Sequence, residues 1–111
     1  MNESDSNFDY DLRQIVLMEE QLSQFESGSL TLSHLVAGLK SLQNCLRTVN
    51  EDWKKNFVSE WWTLEQVHAV ALDRQEAEFS SADLALLKEA IANLRALTAS
   101  AKEELKHSAN E

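Results

Sequence analysis

The sequence predicts an all-α fold, a single-domain antiparallel bundle of about four helices over residues 1–111, with 1–7 and 107–111 frayed. Three observations carry that prediction. The chain has no proline and two glycines, too few turn formers for a β fold with its many tight connections. Its middle is filled by Ala, Leu, Glu, Gln and Lys, the residues that lose least on entering a helix. Apolar residues recur at steps of three and four in four successive segments. A length of 111 residues leaves room for one domain and one modest core.

The first helix is expected from Ser6 or Asp9 to Glu26, where Ser27, Gly28 and Ser29 stop it, glycine being the usual residue just past a helix end. Phe8, Leu12, Ile15, Val16, Met18, Leu22 and Phe25 cover a broad arc on one side. Thr31 reads as the next N-cap, with Leu30 and Leu35 as its hydrophobic staple. The second helix is expected to continue to about Val49, because Leu32, Leu35, Leu39, Leu42, Leu46 and Val49 form one narrow stripe. Gly38 in that helix points to close approach of a neighbour.

Asn50 is the third cap, with Glu51 and Asp52 placed at the positive end of the helix dipole. The third helix is expected to reach about Glu76, with Trp53, Phe57, Trp61, Leu64, His68 and Ala71 on one face. Val58, Trp62 and Ala69 widen that arc beyond what one neighbour covers, so this helix is pictured packed by all three others. Ser80 caps the fourth helix, Asp83 lies three residues on, and Phe79 and Leu84 staple it. Leu84, Leu87, Ile91, Leu94, Thr98, Ala101 and Leu105 then hold the three-four step. Short connections make successive helices antiparallel.

Catalytic chemistry finds little support. Glu-x-x-His occurs at Glu65 and His68 and again at Glu104 and His107, the spacing found in carboxylate-bridged metal bundles. Those bundles need a carboxylate from each remaining helix, and none lies between Thr31 and Asn50; no metal and no cofactor is therefore expected. His68 reads as a core histidine or as the partner of Glu65 or Glu19. Cys45 is the sole cysteine and cannot close an internal disulfide. With no phosphate-binding glycine loop and no nucleophile elbow, the expectation is that the chain is not an enzyme.

Charge is more informative. A formal net charge of −9 repels a phosphate backbone or an anionic lipid surface and suits a basic protein partner. The N-terminus, Met1 to Ser6, is acidic where a signal peptide is basic, and no apolar run approaches a membrane span; the cytoplasm is the expected location. Asp9, Asp11, Glu19, Glu20 and Glu26 crowd the first helix against a single Arg13, and Asp73, Glu76 and Glu78 form a second acidic group. Such groups are either solvated faces or landing surfaces for a basic partner. Trp62, about two-fifths of a turn outside the core-facing line, either packs between helices or stands out as a binding anchor.

Two stretches, Leu30 to Leu39 and Trp61 to Asp73, resemble small acidic helical immunity proteins encoded beside toxin domains in contact-dependent growth inhibition and related polymorphic toxin systems. That resemblance implies a neutralising complex with a cognate toxin domain and carries over no contact residue. The charge pattern suits a nuclease as the target and sets the expected contact at Asp9, Asp11, Glu19, Glu20 and Glu26, with Asp73, Glu76 and Glu78 second, and helical spacing adds Trp62. The alternative is a helical adaptor or assembly subunit whose fourth helix pairs with a second chain through Leu84 to Leu105.

Overall fold

The computed structural model describes residues 3–74 and 79–109, with side chains for 7–72 and 79–107. Four helices follow one another: α1 (Glu3–Glu26), α2 (Leu32–Asn44), α3 (Glu51–Arg74) and α4 (Ser81–Ala109). They form an all-α bundle in which α1 packs on α2, α2 on α3, α3 on α4, and α4 back on α1. α1 and α3 lie diagonally, with no close backbone approach between them among the described residues, so α3 packs closely on two neighbours rather than the three expected. The interfaces of α4 with α1 and with α3 are the most extensive.

The helix starts obey local chemistry. Thr31 Oγ1 accepts from the His34 N–H at 3.2 Å, Asn50 Oδ1 from the Trp53 N–H at 2.7 Å, and Ser80 Oγ from the Asp83 N–H at 3.1 Å, each satisfying a first-turn donor that the helix itself leaves open. At the end of α1, Gly28 adopts φ 86°, and the Ser29 and Leu30 N–H groups fold back on the Gln24 carbonyl at 2.8 and 3.2 Å. A β-carbon disfavours that left-handed turn.

α2 ends at Asn44, not near Val49. The Cys45 and Leu46 N–H groups tighten onto the Leu42 and Gln43 carbonyls, and the next two N–H groups leave the helix for a side chain of α1. Both Asp11 oxygens lie 3.0 Å from the Arg47 nitrogen, and Asp11 Oδ2 accepts from the Thr48 N–H at 2.7 Å and the Thr48 hydroxyl at 2.6 Å. An ionised carboxylate holds such donors more firmly than a carbonyl does. Thr48 and Val49, both β-branched, have less to lose by leaving the helix. Leu46 stays buried and Val49 still packs on the core.

One cluster of buried side chains runs through the four helices, from Ile15, Met18 and Leu22 through Leu35, Leu39, Phe57 and Leu64 to Leu87, Ile91, Leu94 and Leu105. Trp53 stacks on Phe57 with centroids 5.2 Å apart and donates its indole N–H to the Leu97 carbonyl at 2.9 Å. Buried Thr98 turns its hydroxyl onto the Arg95 carbonyl at 2.9 Å. Gly38 faces α1, where a β-carbon would lie 2.8 Å from Gln21 Cδ, so the space beside it is taken by the end of the Gln21 side chain rather than by the α1 backbone. The stripe of α4 from Leu87 to Leu105 faces inward and is not free to pair with a second chain as the adaptor alternative required. Leu84 is half exposed, so only Phe79 of that staple packs on the core.

The two hairpins are staggered. Trp61 donates its indole N–H to the Val36 carbonyl at 2.8 Å, so α2 reaches only one turn past the level of Trp61, to its start at Leu32, while α3 runs on to Arg74. Arg95 of α4 meets Glu26 at the end of α1, and α4 continues from there back to Ser81. The α3–α4 hairpin thus overhangs the α1–α2 hairpin, which stretches the molecule to 52 Å along its longest axis against 18 Å along its shortest. Among the described residues no helix is long and apolar enough to cross a membrane.

Candidate functional site

The acids of α1, clustered in sequence, separate into three environments. Asp11 is fully buried and spent on the 47–48 backbone; it is withdrawn from the expected contact surface because it falls on the same inward line as Ile15, Met18 and Leu22. Glu19 and Glu26 lie at the edge next to α4. Glu19 pairs with the Lys102 ammonium at 2.9 Å, and Glu26 with the Arg95 guanidinium, whose Nε donates at 2.7 Å. Glu19 therefore serves Lys102 and does not reach across to His68, which sits on the diagonal helix. Asp9 and Glu20 are exposed and make no ion pair among the described residues.

Asp9, Arg13, Val16, Leu17 and Glu20 share the outward arc of α1 by their helical spacing. Val16 is 38% and Leu17 43% exposed. A shallow groove of about 380 Å³ runs along this arc between Val16, Glu19, Glu20 and Gln24. The result is a small apolar centre with carboxylates on its flanks and one opposing charge, Arg13. Val16, read as part of the inward arc, is the apolar half of this surface, and Leu17 was not singled out from the sequence at all. Their signal was two consecutive apolar residues, of which one helix face cannot bury both along with Ile15 and Met18.

The second acidic group contributes less. The Asp73 side chain lies outside the described residues, as do Glu76 and Glu78 entirely. Trp62 is not packed away between helices: it is 53% exposed, with its ring tilted against Trp61 at a centroid separation of 5.9 Å. Trp61 turns inward beneath Lys40, whose ammonium lies 5.1 Å from its ring centroid.

Near the 45–50 segment, Arg47 lies over the Tyr10 ring at 4.2 Å and donates to Asn7 Oδ1 at 3.2 Å. The Cys45 side chain, as hydrogen-bond partner, holds the Tyr10 hydroxyl above the ordinary tyrosine pKa. Cys45 itself is exposed and free. Among the described residues no group of three or more His, Cys, Asp and Glu is arranged to hold a metal ion.

The fold and this surface define an acidic, all-α four-helix bundle with a mixed apolar and anionic outer face on its first helix. No family model, curated protein or solved structure matches the chain.

Proposed function

We propose that the chain is an immunity protein that binds a cognate bacterial toxin domain of basic surface in the cytosol and neutralises it by occupying it, without chemistry of its own. The outward face of α1 carries the reading: exposed Val16 and Leu17 with Asp9 and Glu20 beside them, two acids that make no ion pair among the described residues. Charge alone rarely supplies tight binding, whereas an apolar centre inside a charged rim is the usual anatomy of a strong interface. A nuclease fits as the target because its cleft must attract phosphate, and a protein of net charge −9 is steered to the same cleft. The resemblance to immunity proteins of contact-dependent growth inhibition points the same way.

Protection requires nearly every toxin molecule to be occupied, which sets an expected affinity at nanomolar or better, about 12 kcal/mol. The test is growth of cells that produce the toxin domain encoded beside this chain, with and without the chain co-expressed. Protection against that toxin and not against unrelated ones is the expected result. Killing that proceeds unchanged overturns the reading.

A further inference from the structure

The third helix has a second stripe that the core does not use. Glu51, Lys55, Val58, Trp62, Glu65, Ala69 and Leu72 advance by alternating steps of four and three, the spacing that keeps residues in line toward one helical neighbour. Among the described residues no helix lies along it: Trp62 is 53% and Leu72 65% exposed, and α2 stops short of covering the stripe beyond Glu65. Lys55 and Glu65 make no ion pair among the described residues.

The order of residues along the stripe identifies its partner. Read backwards about position 60, the stripe from Glu51 to Ala69 falls on itself, with Val58 opposite Trp62, Lys55 opposite Glu65 and Glu51 opposite Ala69, while Leu72 lies beyond the paired length. We propose that α3 is a homodimerisation face on which the α3 helices of two copies pack antiparallel about a two-fold axis level with position 60. Each Trp62 indole then lies on Val58 of the second copy, and each Lys55 ammonium faces Glu65 of the second copy, two ion pairs flanking one apolar centre. An isologous contact requires this self-complementarity. A parallel arrangement sets Lys55 against Lys55 and Glu65 against Glu65, so the charges select the antiparallel one. The overall acidity does not oppose the pairing strongly, because α1 lies diagonally from α3 and both acidic faces point away from the axis, where salt screens them beyond about 8 Å.

One helical face is smaller than a standard interface, so the expected dissociation constant is on the order of 10 µM. Sedimentation equilibrium of the purified chain, with no other protein present, reads it. Lys55→Glu and Glu65→Lys should each weaken the dimer about tenfold or more by placing like charges together, and Trp62→Ala should do so by emptying the centre. The double variant Lys55→Glu with Glu65→Lys recreates the same pair in reverse and should return the dissociation constant to within about threefold of the parent's. Circular dichroism should show unchanged helix in all four, since these side chains lie outside the core. A parent that stays monomeric at concentrations on the order of 1 mM overturns the proposal and leaves the stripe to a different protein. A dimer indifferent to the single reversals, or one that the double reversal fails to restore, overturns it equally.

Discussion

α1 and α3 are both 24 residues long and stand at opposite corners of the bundle, each with one side in the core and one side turned out. Their outer sides differ in how charge is balanced. Along α1, α4 neutralises the acids at one edge through Lys102 and Arg95, while Asp9 and Glu20 further round have only Arg13 on their arc and make no ion pair among the described residues. Along the outer stripe of α3, Lys55 and Glu65 stand at equal distances from the apolar pair Val58 and Trp62. A field with an excess of one sign calls for a partner of opposite sign, whereas a field balanced along its own length is satisfied by a second copy. Exposed apolar surface alone does not separate the two, since both faces have it; the arrangement of the charges does.

The comparison rests on a core that holds both helices against α4, and the largest expected effect is its loss. Leu94 is fully buried, so Leu94→Ala should cost about 2–5 kcal/mol, read as a lowered denaturation midpoint. An unchanged midpoint would remove the shared anchor from this description.

A second substitution sharpens the distinction within α1 itself. Asp11→Ala deprives the Arg47 and Thr48 N–H groups of their acceptor and should destabilise by about 2–4 kcal/mol. Glu20→Ala, an acid of the same helix on the outer side, should change stability by no more than about 0.5 kcal/mol. Equal costs would mean that the two acids are not on opposite sides of the helix.

The smallest expected effect lies at the junction of α1 with the 45–50 segment. The single tyrosine, Tyr10, should titrate above the ordinary tyrosine value, and Cys45→Ala should lower its midpoint, both followed by phenolate absorbance. The sign follows from the raised value. The stabilisation is complete below the pKa of the unfolded chain and is lost as pH rises through that of the folded one, so by this route the substitution should lower stability slightly at neutral pH and leave it unchanged above the folded-state pKa.

Much of the architecture was legible because helix starts are local. Thr31, Asn50 and Ser80 each cap a donor three residues away, within reach of a short reading window. The end of α2 was not legible in that way. Asp11 takes the Arg47 and Thr48 N–H groups from 36 and 37 residues earlier in the chain, and no capping pattern near Val49 announces it. A signal did exist, because Asp11, Ile15, Met18 and Leu22 keep the four-three-four step of an inward stripe, and an acid on such a line needs a buried partner. The acids of α1 were visible as a cluster, but composition does not say which of them faces α4. The overhang of α3 and α4, which leaves Leu72 uncovered, depends on the lengths of both hairpins together and emerges only once they are packed.

The most direct test of the account is the binding of the purified chain to the toxin domain encoded beside it, comparing the parent with a variant on each outer face. Asp9→Lys combined with Glu20→Lys leaves the Glu19–Lys102 and Glu26–Arg95 pairs in place, so the fold is not disturbed. This variant should weaken the complex about a hundredfold, mainly through a slower association whose salt dependence is reduced. Trp62→Ala on α3 should leave affinity for the toxin domain within about threefold of the parent's. The contradictory result is the reverse pattern, in which reversing the α1 charges changes nothing while the loss of Trp62 abolishes binding.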